Sequence, residues 1–277
     1  MEPFVEIPHS AWSQMRDAYK ENWPRHLIAH TLLNTQLKYP GILTYLQLKI
    51  YCPFGELSNG IIAISDKEEF KQIMILPLDD IAMIEECLMS TRLIDWNKPL
   101  LVQAAPEAVI ECIKRISTHF NLKFQFDEKA NTYNLDKQSA PFENLSCPPD
   151  TYVGPLTAEH VDLIDKTWTY TGSWSRKFFE VLMMNGLTYV LYSTSHEPLA
   201  WITVGSEGAL THLYCLEPHR RKGYAEFITK YAVNDQLKAN NDILSYTLVD
   251  NLKPQNLFKK LGFQYFGHVS WVLVTPK

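Results

Sequence analysis

The sequence predicts a mixed α/β protein with two domains of similar architecture, each a central sheet flanked by helices. Its 277 residues allow one or two domains, at about 150 residues per domain. Hydrophobic periods typical of helices and of strands alternate along the chain. One order of elements occurs twice: two helices, three strands, then helix, strand, helix, strand. This repetition predicts a tandem arrangement of one fold type.

The predicted boundary lies in the segment SAPFENLSCPPD, residues 139–150, whose prolines favour an extended linker. We therefore predict domains over 1–145 and 146–277. In the first half, helical spacing after Ser10 predicts two helices over 10–38. Further helices are predicted over 79–90 and 107–120. Apolar runs predict strands over 42–51, 60–65, 71–76, 99–103, 122–126 and 131–135.

The second half follows the same order. A short strand over 152–156 precedes a helix that Thr157 is placed to cap. Helices are also predicted over 174–185, 223–238 and 254–261. Strands are predicted over 187–193, 198–205, 209–216, 243–249 and 264–274.

Composition excludes several classes of protein. Charged residues are 21% and hydrophobic residues 46% of the chain, as in ordinary globular domains. The net charge of −5 gives no general attraction to nucleic acid, and no apolar run is long enough for a membrane span. The five cysteines form no CxxC pair, so we expect no metal site and no disulfide framework. The first residues, MEPFVEIPHSAW, lack the features of a presequence, so a cytoplasmic location is expected.

The segment LTHLYCLEPHRRKGYA, residues 210–225, carries the clearest chemical signal. A predicted strand ends before Pro218, and a predicted helix begins near Gly223. The first turn of a helix has main-chain N–H groups without partners and a partial positive charge, which together bind phosphate. Arg220, Arg221 and Lys222 add positive charge, and Ala225 keeps the helix surface small. A solvated basic turn is the simpler alternative, but the strand–loop–helix context favours an anion site.

A second segment, NLKPQNLFKKLGF at 251–263, follows the next strand. Together the two segments resemble the GNAT superfamily of acyl-CoA-dependent acyltransferases. Arg220, Gly223 and Ala225 match its phosphate motif, and the stretch from Asn251 to Phe263 matches its later motif. Three further segments resemble the glycine N-acyltransferase family, which also has two halves. They are LIDWNKPLLVQ (93–103), DLIDKTWTYTGSWSRKFFE (162–180) and PLAWIT (198–203). The resemblance to this family also leaves a mitochondrial location open.

This resemblance implies direct transfer of an acyl group from coenzyme A to the amine of glycine or another small molecule. Acyl-CoA or acetyl-CoA is the implied co-substrate, without a metal, and no nucleic-acid or membrane partner is expected. The oligomeric state stays open. The residues implied in coenzyme A binding are Leu213, Tyr214, Cys215, Leu216, Arg220, Arg221, Lys222, Gly223, Tyr224, Ala225, Asn251, Asn256 and Phe258.

The chain departs from the family at two catalytic positions. The family's general base is a glutamate, where this chain has Ala209. Glu207 and His212 are the candidates for that role, and His212 has an ordinary pKa near neutrality. The tyrosine that protonates the leaving thiolate in many GNAT enzymes corresponds to Phe258. Tyr246 or a water molecule is the candidate substitute, unless the thiolate needs no acid.

Two other functions stay open at this point. One is an N-acetyltransferase acting on an arylalkylamine, a polyamine or a protein N-terminus. The other is a catalytically weak acyl-CoA-binding module that serves as an interaction partner. In the N-terminal half, the corresponding junction carries Asp79 and Asp80. Because these carboxylates repel phosphate, we predict that this half does not bind coenzyme A.

Overall fold

The computed structural model describes residues 1–21, 23–66 and 70–277. It confirms a mixed α/β fold in which helices flank extended sheets. The strands are β1 (Phe4–Glu6), β2 (Lys49–Pro53), β3 (Ile61–Asp66), β4 (Lys71–Leu76), β5 (Leu100–Ala105), β6 (Leu122–Leu135), β7 (Thr151–Gly154), β8 (Thr188–Ser193), β9 (Pro198–Val204), β10 (Ala209–Cys215), β11 (Ile243–Leu248) and β12 (Gln264–Pro276).

The α-helices begin and end as follows: α1 (Trp12–Ala18), α2 (Leu27–Lys38), α3 (Pro40–Leu46), α4 (Ala82–Ser90), α5 (Glu107–His119), α6 (Val161–Lys166), α7 (Ser175–Met184), α8 (Tyr224–Lys238) and α9 (Leu252–Lys260). None of the helices in the described part of the chain combines the length and the apolar character that a membrane crossing requires. All five cysteines are free thiols.

The chain divides into two compact units, each of which is made of more than one segment of the sequence. The first comprises Met1–Leu33, Leu46–Thr132 and Phe266–Lys277, and the second comprises Asn34–Tyr45 and Tyr133–Tyr265. The division therefore differs from the boundary predicted between residues 145 and 146. One reason is visible in the first unit, where the last strand of the chain, β12, pairs antiparallel with β5. Such a long-range pairing leaves no local signal in the sequence.

In the first unit the strands lie in the order β1-β2-β3-β4-β5-β12-β6. The first four pair antiparallel, while β4 pairs parallel with β5. The apolar faces of α4 and α5 cover this sheet, and their side chains share one buried cluster with it. Ile84, Leu88, Val109 and Ile113 from the helices are fully buried there. Burial of this kind is the main source of stability for a surface helix.

In the second unit the strands lie in the order β11-β10-β9-β8-β7. β7 to β10 pair antiparallel, and β10 pairs parallel with β11. All seven residues of β9 are buried, which is typical of a central strand covered on both faces. Phe179 and Leu182 of α7 and Ala232 and Val233 of α8 are buried in the core.

Three predicted strands differ from the structure. Residues 42–51 were predicted as one strand, but α3 occupies Pro40–Leu46 and only Lys49–Pro53 is extended. Pro40 is the first residue of α3, a position where a proline costs no hydrogen bond. The helix was missed because the short apolar run ILTYL is equally typical of a buried strand. The strands predicted over 122–126 and 131–135 form one continuous strand, β6. The other predicted elements are present, most of them with shifted ends, and the strand predicted over 71–76 has the observed bounds.

Candidate functional site

The candidate site begins where β10 and β11 separate. Their parallel pairing joins Ala209 to Leu244 and Leu210 to Ser245. At the last pair, the hydroxyl of Ser245 donates a hydrogen bond of 3.1 Å to the carbonyl oxygen of Leu210. β10 then continues to Cys215. Beyond the last pair, the diverging strands present main-chain N–H and C=O groups that a ligand can bind.

A β-bulge shapes the part of β10 beyond this point. The register of β10 against β9 shifts between Thr211 and Tyr214. Inside the bulge, His212 has a φ of 51°, in the left-handed region that non-glycine residues seldom adopt. Bulges of this type change the direction of a side chain and are common beside active sites. The bulge therefore sets the orientation of His212.

The turn from β10 to α8 presents main-chain amides. Both Arg221 and Gly223 have positive φ, at 64° and 81°. Gly223 is the N-cap residue of α8, and no side chain makes a capping hydrogen bond to this helix end. Since the helical hydrogen bonds begin with the N–H of Phe227, the preceding N–H groups and the helix dipole present partial positive charge. A Cβ atom on Gly223 would meet no atom within 4 Å, so the space around it is open.

The charges around this helix end are positive overall, although Arg220 forms an ion pair of 3.0 Å with Glu217. The basic residues 220–222 are exposed. Glu226 lies in the first turn of α8, but Lys230 and Lys260 donate to its two carboxylate oxygens at 2.8 and 2.6 Å. These hydrogen bonds hold the pKa of Glu226 below its ordinary value. The carboxylate is thus offset by two lysines, which reduces its repulsion of an incoming anion.

Arg220 connects the turn to β10. Its Nε donates to the carbonyl oxygen of Cys215 at 3.1 Å, and its guanidinium carbon lies 5.7 Å from the centre of the Tyr214 ring. Burial raises the pKa of the Cys215 thiol, although Arg220 and Lys222 act in the opposite direction. A thiol with a raised pKa is a poor nucleophile at neutral pH. The arrangement therefore does not favour an acyl-cysteine intermediate.

His212 lies in an aromatic environment and is held through one nitrogen. Its Nε2 lies 2.9 Å from the carbonyl oxygen of Ile164 and 3.5 Å from Oγ1 of Thr167. Because a carbonyl oxygen only accepts, Nε2 carries the proton and Nδ1 has the free electron pair. Burial lowers the pKa of His212 to about 4, with the Ile164 hydrogen bond acting the other way. The rings around the imidazole are Trp168, Phe179, Trp201 and Tyr214.

Glu207 and Tyr246 form a second titratable pair. Glu207 lies in the turn between β9 and β10, and burial raises its pKa. Burial and the charge of Glu207 raise the pKa of Tyr246 well above its ordinary value, so this hydroxyl stays protonated. The same turn is fixed by Gln36, whose Nε2 donates to the carbonyl oxygen of Ser206 at 2.6 Å.

On the other side of the separation, the turn from β11 to α9 is fixed by Gln255. Its Nε2 donates to the carbonyl oxygens of Leu248 and Val249 at 3.0 and 2.9 Å. Sequence reasoning missed this residue, since a glutamine inside a helical segment carries no signal. Asn256 is exposed on α9, whereas Phe258 is 2% exposed and packs between Tyr133 and Phe263.

Three comparisons bear on this arrangement. Residues 190–272 match the family model described as FR47-like protein. A Drosophila protein solved by X-ray crystallography superposes on 100% of this chain and 99% of its own, with a TM-score of 0.87 at 16% identity. The tandem GNAT protein of the clavulanic acid biosynthesis pathway matches over 98% of this chain and 97% of its own, with a TM-score of 0.57 at 12% identity.

A GCN5-related N-acetyltransferase from Sphaerobacter thermophilus covers 99% of this chain and 95% of its own, with a TM-score of 0.55 at 9% identity. The chain has the tandem GNAT fold. The predicted coenzyme-binding residues Leu213–Leu216 and 220–225 lie on one strand–turn–helix segment, and Asn251 lies at the start of α9. Their roles, and those of His212, Glu207 and Tyr246, stay predictions.

Proposed function

We propose that the protein is an acyl-CoA-dependent N-acyltransferase that transfers an acyl group directly to the amine of glycine or another small amine. In this reaction the amine nitrogen attacks the thioester carbonyl carbon, the carbon–sulfur bond breaks, and the amine loses a proton. The chain must therefore hold an anionic coenzyme, provide a proton acceptor, and tolerate or protonate a leaving thiolate. The GNAT fold supports this class of reaction.

The observation that carries the proposal is the N-terminus of α8 beside the separated strands. No side chain caps this helix end, so its main-chain N–H groups can donate to a ligand. The space around Gly223 is open, and the exposed residues 220–222 supply positive charge. A diphosphate fits this donor set, because it accepts hydrogen bonds from amides and charge from arginine and lysine. We assign Arg220 to Ala225 to the diphosphate and Leu213 to Leu216 to the pantetheine arm.

His212 is the better candidate for the general base. It lies on β10 beyond the last residue paired with β11, whereas Glu207 lies in the turn before β10 begins. Its Nδ1 electron pair is free to accept the amine proton, while the Ile164 carbonyl fixes the ring through Nε2. The lowered pKa keeps His212 unprotonated at neutral pH, but it also makes this imidazole a weaker base than an ordinary histidine, contrary to the expectation of a pKa near neutrality.

Tyr246 is the candidate for protonating the leaving thiolate. It follows Ser245, the last β11 residue paired with β10, and burial together with the Glu207 charge keeps its hydroxyl protonated. Phe258 occupies the place that the family's tyrosine would take, and its ring is buried among aromatic residues. Tyr246 would supply the hydroxyl that Phe258 lacks, while its raised pKa makes it a weaker proton donor than an ordinary tyrosine.

A catalytically weak acyl-CoA-binding module is the second candidate. Two observations favour it: Ala209 stands at the position of the family's glutamate, and Phe258 cannot donate a proton. An N-acetyltransferase of other amines or of protein N-termini uses the same residues and differs only in the acceptor. Binding and turnover must therefore be measured separately.

Coenzyme binding is tested by calorimetry with acetyl-CoA and longer acyl-CoAs. We expect the double variant Arg221→Glu/Lys222→Glu to lower affinity by at least about 100-fold, because two charge-assisted contacts of roughly 1.5–3 kcal/mol each are lost. Lys123→Glu, an exposed charge reversal on β6 of the first unit, is the matched control and should bind like wild type. Equal affinity in all three proteins would overturn the phosphate assignment.

Turnover is tested by thiol release across a panel of amino acids and amines. In His212→Gln, the amide Nε2 can replace the imidazole donor to Ile164, but no basic nitrogen stands at Nδ1. We expect this variant to bind acyl-CoA normally and to lose about 100-fold or more in kcat. A pH–rate profile identical to wild type would exclude His212 as the base and direct attention to Glu207. Binding without turnover for every acceptor would support the binding module.

A further inference from the structure

A cluster of metal-binding side chains lies in the second unit, on residues that the proposed acyl transfer does not use. We propose that Glu159, His160 and His196 form a binding site for a divalent transition-metal ion of the zinc class. Glu159 and His160 belong to a short 3-10 turn before α6, and His196 lies in the turn between β8 and β9. One ligand atom from each residue lies within 4.8 Å of the other two.

The distances are close to those that a metal ion requires. An ion with tetrahedral bonds of about 2.0–2.1 Å places its ligand atoms roughly 3.3 Å apart. Nε2 of His196 is already 3.0 Å from Oε1 of Glu159, and Nδ1 of His160 is 3.9 Å from the same oxygen. A metal ion would require Nδ1 of His160 to move by about 1 Å and to exchange its hydrogen bond of 2.9 Å with Oγ1 of Thr157 for a bond to the ion.

His196 is held as metal-binding histidines usually are. Its Nδ1 is hydrogen-bonded to the hydroxyl of Tyr152, which leaves Nε2 directed at Glu159. Because a carboxylate only accepts, Nε2 carries a proton when no ion is bound, and an ion that binds at Nε2 displaces this proton. Tyr192 stacks on the imidazole at 4.7 Å between ring centres, and the main-chain N–H of His196 donates to Ser193 in the hairpin. The ligand is therefore positioned before any ion binds.

His160 is positioned by its own turn. Oγ1 of Thr157 lies 2.9 Å from Nδ1 of His160, and the ring lies 5.6 Å from Tyr192 and 5.4 Å from His196. Both imidazoles therefore lie beside the carboxylate of Glu159, with Nδ1 of His160 held by Thr157 until an ion binds. A simple ion pair would need only one histidine beside Glu159, whereas two imidazoles and a carboxylate supply three ligands.

The donor set selects the class of ion. Two imidazoles with one carboxylate are ligands of zinc sites that keep a position open for water. Imidazole nitrogen also suits nickel and copper, while calcium and magnesium prefer sites built from oxygen ligands. Glu159 is exposed and both histidines are half-buried, so an ion has access from solvent. The absence of CxxC spacing therefore does not exclude a metal site, contrary to the expectation from the sequence.

The test uses the full chain, freed of any affinity tag and stripped of metal with a chelator. Calorimetry with Zn²⁺ should show one ion per chain, and Co²⁺ should give the visible absorption of a low-coordinate site. We expect His160→Ala and His196→Asn to weaken zinc binding at least about 100-fold, and Tyr152→Phe about 10-fold. Asparagine is used at 196 because it tolerates the positive φ of 66° there.

His119→Ala, which removes an exposed histidine of the first unit, is the matched control and should bind zinc like wild type. Zinc should also raise the Tm of the wild-type protein but not that of His196→Asn. Zinc affinity equal in wild type and in a His160→Ala/His196→Asn double variant would overturn the proposal and leave an ion pair only. Because none of these readouts uses coenzyme A or turnover, their outcome does not depend on the proposed acyl transfer.

Discussion

Two strand-to-helix junctions stand at the same place in the element order of the two units. In the first unit β4 leads to α4, and in the second β10 leads to α8. Both strands pair in parallel with the following strand near their start: β4 with β5 from Lys71 to Ile73, and β10 with β11 at Ala209 and Leu210. The backbone architecture is therefore shared.

The two helix ends nevertheless offer opposite chemistry. At the first, Oδ1 of Asp80 accepts a hydrogen bond of 2.8 Å from the N–H of Ala82, the first residue of α4. Pro77 contributes no N–H, and Asp79 adds a second negative charge. At the second, Gly223 leaves the end of α8 without a side-chain cap, and three cations precede it. The proposed anion binding therefore depends on a few junction residues, because the two units share the backbone architecture around them.

The largest expected effect concerns His212. This residue has no counterpart in the first unit, because the end of β4 carries only apolar residues over 73–76. The pKa of His212 is lowered from 6.5 to about 4 by burial. The unfolded chain therefore takes up the proton first, so the free energy of unfolding falls as the pH drops from about 6.5 towards about 4. The loss is about 1.4 kcal/mol per pH unit, or about 2 kcal/mol at pH 5.

Urea unfolding of wild type and His212→Gln across this pH range checks the prediction. The stability advantage of wild type over the variant should shrink below about pH 6.5 and be constant above it. His119→Gln controls for the loss of an exposed histidine. A difference between wild type and His212→Gln that does not change with pH would contradict the buried, neutral state of this imidazole.

The local part of the second junction was predictable from the sequence. Pro218 ends the strand and Gly223 precedes a helical pattern, and both signals act within a few residues. The structure places β10 and α8 within one residue of the predicted ends. The tandem fold was also predictable, because the order of elements repeats.

Contacts between distant segments of the chain could not be predicted from the sequence. Nothing near residue 212 indicates that Ile164 binds its imidazole or that Trp168 and Phe179 exclude water from it. His196 lies far along the chain from His160, and only the hairpin between β8 and β9 brings them together. The pairing of β12 with β5 is long-range in the same sense. In each case tertiary packing, not local propensity, decides the outcome.

The next prediction distinguishes the loss of stability that backbone strain causes from the loss of acyl-CoA affinity at the start of α8. Gly223 and Gly186 have φ values of 81° and 69°, and a Cβ on either would meet no atom within 4 Å. Gly223→Ala and Gly186→Ala should therefore each cost about 1–2 kcal/mol of stability through strain alone.

Only Gly223→Ala should also weaken acyl-CoA binding, on the order of tenfold or about 1.4 kcal/mol, because strain displaces the amides of α8. Denaturant unfolding and calorimetry on the same pair of variants measure both effects. If Gly186→Ala weakened binding equally, the loss would reflect general destabilisation, and the special role of Gly223 would be refuted.

The smallest expected effect tests why the junction between β4 and α4 is not expected to bind coenzyme A. Asp80→Ala removes the acceptor for the N–H of Ala82 and should destabilise the protein by about 0.5–1 kcal/mol, the net contribution of one hydrogen bond. Asp80→Asn retains a side-chain oxygen and should lose less, which separates the hydrogen bond from the charge. Neither variant should create a second coenzyme site, because the first junction still lacks the cations and the left-handed glycine found before α8. Calorimetry that detected two acyl-CoA molecules per chain in Asp80→Ala would show that the aspartate alone had closed this junction.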